Sequence, residues 1–333
     1  MRLLRLFYYL PLLLFLTTCE RALLADEPEL NSLTVFDHFD QLLTEKYGMF
    51  EQKGVDWEAL TDAARAELST ATPEDELAEV MGGLIAQLRD GHTYLETSDS
   101  VLYGYDYTQG APLNFDFATL DLNYFRDPVT DIGVALSAVL DGNVGYLLID
   151  TWEGFSPADM DALLAPLDDT RGLVVDIRPN AGGDPYLAGD LARRFTDEPV
   201  RAGTEYFKTG PDPEDFSPNN IDVTPVDTLN YLGRPVAILQ GRHSYSASAV
   251  LLFSTDPMPQ VRTFGELSGG GTGSVASTYL LNGWTLNFSV SDFIDHRGRR
   301  LDGGVEPDEA VIYRRGIGRD DVLEAALDWI DEQ

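Results

Sequence analysis

The sequence predicts an α/β fold with a largely parallel sheet, preceded by a small helical unit. Three observations point there. Continuous apolar runs of strand length recur at Val144–Ile149, Leu173–Ile177 and Val236–Leu239; a strand apolar on both faces must be covered on both, as in parallel sheets. Helical patterns fall between these runs, at 156–167 and 184–195, and strands alternating with helices indicate βαβ units. Ahead of them, from Leu33 to Arg89, the apolar spacing is helical.

Taken in order, residues 1–19 read as an export signal of lipoprotein type. Arg2 and Arg5 form a basic start, and Leu10–Leu16 an apolar core too short to span a bilayer as a mature helix. Cys19 is the only cysteine of the 333 residues, which excludes a disulfide within the chain. Its place after Leu16-Thr17-Thr18 resembles the lipobox of bacterial lipoproteins. That resemblance implies lipidation at Cys19, a membrane anchor and a place in the cell envelope. Residues 20–32, acidic and containing Pro28, read as a tether.

Residues 33–90 read as the helical subdomain. Phe36, Phe39, Leu42, Leu43 and Tyr47 recur at three- and four-residue spacing. A second helix is expected around Trp57–Leu68. A third follows Thr72-Pro73-Glu74-Asp75 and gathers Leu77, Val80, Met81, Leu84, Ile85 and Leu88 on one face. Residues 91–333 then form the α/β core. Within it, 99–125 read as short strands or loop, and the polar, Pro-rich 203–232 as a long excursion shaping a cleft. Residues 275–290 alternate about Asn282-Gly283, a hairpin signal. Asp320–Ile330 reads as a terminal amphipathic helix.

Composition narrows the function classes. The 56 acidic residues against 23 basic give a net charge of −33, which a nucleic acid or an anionic surface would repel. Hydrophobic residues make up 44% of the chain, which argues for a packed core. No spaced set of metal-ligand type stands out, and no phosphate-binding glycine fingerprint is present; neither a metal nor an organic cofactor is expected.

The chemistry concentrates on Val236–Phe253, an apolar strand, a turn with Ser244, Ser246 and Ser248, and then an Ala- and Leu-rich helix. A serine at such a junction lies beside the free N–H groups of the helix start, which can hold a developing oxyanion. The competing reading makes all three serines caps and turn residues. Arg178-Pro179-Asn180-Ala181-Gly182-Gly183-Asp184, between strand and helix, lets the backbone approach a ligand closely. A serine nucleophile needs a base, and the chain has four histidines. His38 falls in a helix pattern, His296 among charges, His243 three residues before Ser246, and His92 just past the third helix. The glycine-rich Gly265–Ser274 is open enough for an extended peptide to lie against it.

LRDGHTYL, GYLLIDTWEGF, GLVVDIRPNAGGD, VAILQGRHSYSASA, FGELSGGGTGS and LDGGVEPDEAV follow one another in an order that resembles the tail-specific, or C-terminal-processing, serine peptidases and their tricorn-core relatives. The resemblance covers about residues 33–330. It implies a crotonase-like core, of the ClpP/crotonase kind, behind an N-terminal helical subdomain. Ser246 matches the nucleophile, and the N–H of Ala247 with that of Gly182 or Gly183 the oxyanion hole. The serine–lysine members carry a lysine where this chain has Gly271, and none of its three lysines, Lys46, Lys53 and Lys208, is expected near that loop, so a serine–lysine dyad is not expected. The tricorn-like branch uses a histidine at the place of His92, supported through a hydroxyl by a carboxylate near the last block; Asp302 and Thr93 are the matches. Ala249 replaces the glutamate usual three residues after the serine. The interval from His92 to Val144 is too short for a PDZ module.

The expectation is therefore a cell-envelope serine endopeptidase acting on extended or unfolded polypeptides, with Ser246 as nucleophile, His92 as base and Asp302 behind it. A homo-oligomer is an assembly open to it. The alternative is a non-catalytic protein that keeps the fold and binds a peptide or an apolar ligand. Acyl-CoA chemistry is disfavoured, because no basic residues surround the serine to meet the phosphates.

Overall fold

The computed structural model describes residues 29–333 apart from 127, 229 and 317. The signal-like segment, Cys19 and most of the tether lie outside the described residues. Among the described residues no helix is long and apolar enough to cross a membrane.

Four helices open the chain: α1 (Ser32–Lys46), the single turn α2 (Phe50–Lys53), α3 (Trp57–Glu67) and α4 (Glu74–Leu88). Their ends are chemically specified. Asn31 accepts the N–H groups of Leu33 and Thr34 at the start of α1, and Asp56 that of Ala59 at the start of α3. Glu74, Asp75 and Glu76 place negative charge at the positive end of α4. Gly54, in the left-handed region, stops α2.

There follow β1 (Tyr94–Glu96), β2 (Leu102–Gly104), α5 (Phe117–Asn123), β3 (Val129–Asp131), β4 (Ala135–Leu140), β5 (Val144–Ile149), α6 (Pro157–Leu164), β6 (Leu173–Asp176) and α7 (Pro185–Ala192). The chain continues through β7 (Val200–Lys208), β8 (Phe216–Val223), β9 (Val236–Gln240), α8 (Ala247–Thr255), β10 (Val261–Gly265), β11 (Val275–Tyr279), β12 (Thr285–Ser289), β13 (Ser291–Asp295), β14 (Glu309–Ala310) and α9 (Asp321–Asp331).

Seven strands form the central sheet in the order β14-β10-β9-β6-β5-β4-β3. Pairing is parallel from β14 to β5 and antiparallel for β4 and β3. The continuous apolar runs are accounted for by burial on both faces. In β9, Val236 and Ile238 pack with α6, α7 and α8, while Ala237 and Leu239 face the side covered by α9. The described residues thus form an α/β core with a helical N-terminal region, as the sequence predicts.

The sequence reading and the structure part at three places. The 203–232 excursion contains most of β7 and all of β8, which pair antiparallel, and β13 adds to β7 to make a separate three-stranded sheet. β8 (FSPNNIDV) is an edge strand, where proline and asparagine are tolerated, so its composition hides it. Residues 99–125 contain a helix, α5, as well as a strand. Finally, the helical layer does not close its own core at residue 90. Phe36, Phe39, Trp57, Leu77 and Ile85 pack with Leu95 and with Leu280, Trp284, Leu286 and Phe288 from the β11–β12 hairpin.

Candidate active site

β6 and β9 are parallel neighbours, and the turns leaving their C-terminal ends meet. Such crevices are where α/β sheets bind ligands. Each turn is held by polar side chains that point inward. In the first, Asn180 Nδ2 donates to the Ile149 carbonyl (3.1 Å) while Oδ1 accepts the Gly182 N–H (2.8 Å). Trp152 N–H donates to the Gly182 carbonyl and Asp184 N–H to that of Trp152 (2.9 and 3.0 Å), tying this turn to the chain after β5. In the second, the buried Ser244 hydroxyl donates to the Ile177 carbonyl and accepts the Gly241 N–H. Ser248 donates to the Asn180 carbonyl and accepts the Trp152 indole N–H (3.1 and 3.0 Å).

Ser246, between these two serines, is different. It precedes α8 as N-cap, yet its side chain caps nothing. Its backbone holds φ 56° and ψ −114°, a conformation that costs a non-glycine residue on the order of 1–3 kcal/mol. The surroundings enforce it: Tyr245 N–H donates to the Asn180 carbonyl and Ser246 N–H to the Gly270 carbonyl (3.1 and 2.9 Å). The result aims Oγ out of the helix start and 2.9 Å from His92 Nε2. The helix forms with Ala249 where the resembling family has glutamate; that side chain is fully buried.

Gly182 lies against this serine. A Cβ there would sit 2.8 Å from Ser246 Cβ and 3.3 Å from Oγ, and its φ is +118°, so only glycine fits. Of the two candidate oxyanion donors in this turn, Gly182 is therefore already committed, its N–H being held by Asn180. The N–H groups of Gly183 and Ala247 make no hydrogen bond among the described residues.

His92 comes from the other layer, in the turn between α4 and β1. Arg89 ends α4 in the left-handed region (φ 50°). The buried Asp90 then accepts the His92 N–H at Oδ1 and the Thr93 hydroxyl at Oδ2 (2.9 and 2.8 Å). The imidazole rests against the Tyr245 ring, with centroids 4.8 Å apart, and Tyr107 stacks on Tyr245 at 3.8 Å. Burial lowers the His92 pKa below that of an ordinary histidine; the charges of Asp90 and Asp302 pull it back up, and Lys53 opposes them. The other histidines are elsewhere: His243 Nε2 contacts the Ala111 carbonyl (3.0 Å), His296 pairs with Asp256, and His38 lies in α1.

The expected support for His92 takes a different form. Asp302 makes no hydrogen bond to the imidazole; it is buried in an ion pair with Lys53. Thr93 gives its hydroxyl to Asp90. Among the described residues His92 Nδ1 is buried without a hydrogen-bond partner, as is Asp302 Oδ1. Burial raises the Asp302 pKa above the usual carboxylate range, with Asp90 adding to the rise and Lys53 working against it. Lys53, remote from the glycine-rich loop in sequence, reaches it in space, because the Asp302 carbonyl accepts the Gly271 N–H (3.0 Å). Gly271 itself has no room for a side chain, since a Cβ would lie 2.5 Å from the Tyr245 ring. Tyr245 thus fills the space into which a lysine at that position would extend.

Sequence reasoning missed Asp90, Lys53, Asn180, Trp152 and Tyr245. Asp90 was within reach, because an aspartate two residues before a histidine in D-G-H can form a side-chain turn. Lys53 offers no local signal, being 249 residues from its partner. Among the described residues no group of three His, Cys, Asp or Glu side chains is arranged to hold a metal ion.

The model of peptidase family S41 matches residues 143–311. A crystal structure from Parabacteroides merdae, described as that of a peptidase, is similar at 29% identity and a TM-score of 0.81, over 91% of this chain and 97% of that one. The photosystem II D1 C-terminal processing protease shares the fold at 15% identity and a TM-score of 0.58, over 88% and 96%. The tricorn protease does so at 12% and 0.59, over 91% of this chain and 37% of that one.

Proposed function

This chain belongs to peptidase family S41 and is a serine peptidase of the tail-specific type; on that premise we propose that Ser246 is its nucleophile and His92 its general base. One observation carries the reading: the 2.9 Å contact between His92 Nε2 and the hydroxyl of a serine in strained backbone that caps no helix.

Ser246 Oγ adds to the scissile carbonyl as Nε2 takes its proton; Nδ1 carries the ring hydrogen beforehand, so the transfer makes the ring an imidazolium. The oxyanion that forms accepts hydrogen bonds from the N–H groups of Gly183 and Ala247, which have no other partner among the described residues. The imidazolium then protonates the departing amine. Water enters, gives a proton to Nε2 and attacks the acyl-enzyme; the acyl–Oγ bond then breaks, Nε2 returns the proton to Ser246 Oγ, and the acid product leaves. While the imidazole is charged, the nearby carboxylates of Asp90 and Asp302 favour it, without a direct bond from either to Nδ1. A neutral histidine at rest is the form that can accept the proton, and burial favours that form.

The substrates are polypeptides presented in extended form, as the open glycine-rich loop and the sheet-end crevice suggest. The interval between His92 and Val144 is occupied by β1, β2, α5, β3 and β4, so recognition rests on the core itself. The signal-like start and Cys19 support attachment of the mature protein to a membrane of the cell envelope through lipid. A fluorophosphonate probe applied to residues 20–333, with the adduct mapped by mass spectrometry, tests the site. Label on Ser246 that is lost in His92→Ala and kept in His243→Ala is expected. An unlabelled Ser246 would overturn the reading and favour a protein that binds peptides without cleaving them.

A further inference from the structure

We propose that Lys53 is a positioning residue that docks the His92-bearing turn onto the Ser246-bearing layer. This rests on the reading of Ser246 and His92 as nucleophile and base.

Lys53 stands where two arms of hydrogen bonds diverge. Its ammonium pairs with Asp302, the two side chains being 10% and 3% exposed, and also donates to the Arg89 carbonyl at 3.0 Å. Arg89 Nη2 donates back to the Lys53 carbonyl at 2.8 Å. Along the first arm, Arg89 leads directly into Asp90, whose carboxylate fixes the backbone of His92. Along the second, the Asp302 carbonyl accepts the Gly271 N–H, and the neighbouring Gly270 carbonyl accepts the Ser246 N–H. Gly270 packs so closely on Asp302 that no side chain could intervene. The base and the nucleophile come from different layers, and Lys53 makes a charged contact that reaches towards both. A group acting through others in this way sets the distance between reacting atoms without touching them, and rates are steep in that distance.

The same place makes Lys53 an electrostatic neighbour of the imidazole. The groups facing His92 are Asp90 from its own turn, Lys53 from α2, Asp302 from the loop before β14, and Tyr245 and Ser246 from the turn before α8. Tyr107 stacks on Tyr245, Arg242 and Arg89 line the same pocket as Tyr245, and Tyr47 is an electrostatic neighbour of Asp90. Loss of the Lys53 cation leaves the carboxylates unopposed and raises the His92 pKa; loss of the Asp302 anion lowers it. A purely structural role for the pair would give both variants lower stability and neither of these opposed shifts.

The experiment compares Lys53→Met, Lys53→Arg, Asp302→Asn and the double variant Lys53→Met/Asp302→Asn, which leaves no unpaired buried charge if a single variant fails to fold. Two readouts are taken: the rate of fluorophosphonate labelling at Ser246 against pH, and the His92 imidazole titration by NMR, assigned with His92→Gln. We expect Lys53→Met and the double variant to label about 10- to 100-fold more slowly, and Lys53→Arg to recover most of that loss. The titration should move up in Lys53→Met and down in Asp302→Asn. Wild-type labelling rates in the Met-containing variants, or titrations that move together or not at all, would overturn the proposal. Wild-type protein that fails to label would instead sink the assignment of Ser246, and the opposed titrations would still decide whether Lys53 governs the imidazole.

Discussion

The two halves of the candidate site are built differently. The Ser246 half is continuous with the parallel sheet: Tyr245 N–H and the Ser248 hydroxyl donate to the Asn180 carbonyl, the Ser244 hydroxyl to that of Ile177 and the Trp152 indole to Ser248, all of them buried. Behind it, Arg178 is enclosed with Asp176 and Asp320, and Asp320 in turn caps α9. The base half hangs from the end of one helix, through Asp90 and the Lys53–Asp302 pair. One half is over-determined and can hold strain at Ser246; the other depends on a few long-range contacts. Strain persists only where the surroundings enforce it, which explains why the unusual backbone belongs to the serine.

The comparison can be broken at several strengths. Ser246→Ala should abolish turnover, a loss of about 10⁶-fold in kcat, with His92→Ala falling close to the same floor because the two act as a unit; steady-state assays of both and of the double variant would show this non-additivity. Gly183→Ala should cost about 10²–10³-fold in kcat by disturbing one oxyanion donor, because a Cβ there would lie 2.7 Å from the Trp152 carbonyl carbon. Arg178→Met leaves two buried carboxylates without their cation and should lower stability by about 3–5 kcal/mol, seen as an earlier urea midpoint. Asp90→Asn, on the less constrained side, should slow kcat by about tenfold or more with little change in midpoint; the reverse pattern would mean that the base half is also a stability element.

The pH dependence sharpens the same contrast. Because burial holds the His92 pKa below the ordinary value of 6.5, the imidazole stays neutral, and able to accept a proton, as pH falls past that value. The acidic limb of kcat/KM should therefore lie below 6.5, and activity should be lost only as pH drops through the lowered pKa. A limb at or above 6.5 would show that the carboxylates outweigh burial. The smallest effect is expected from His243→Gln, whose contact is with the Ala111 carbonyl: an unchanged kcat and an unchanged limb.

Much of this was legible in the chain. Val236–Leu239 and Leu173–Ile177 announced buried parallel strands because both faces are apolar, and the helical spacing before residue 90 described α1, α3 and α4. The Gly182-Gly183 turn was visible because a strand–turn–helix junction constrains residue type locally, whereas Ser246 was singled out from Ser244 and Ser248 by the family resemblance. β8 was not visible, since an edge strand is free to use proline and asparagine, and neither was the sharing of the helical core with Trp284 and Phe288.

What the sequence determined by itself is what short-range physics controls: strand and helix periods, capping residues, and glycine where no Cβ fits. What only the tertiary structure decided is which distant groups meet. Local residue pattern does not distinguish the three serines within these five residues; folding turns Ser244 and Ser248 inward as buttresses and leaves Ser246 facing His92. Asp302 was readable as a candidate carboxylate, but its pairing with Lys53 instead of the imidazole depends on how the helical layer docks on the core. That docking is a property of packed surfaces far apart in the chain, and no local pattern encodes it.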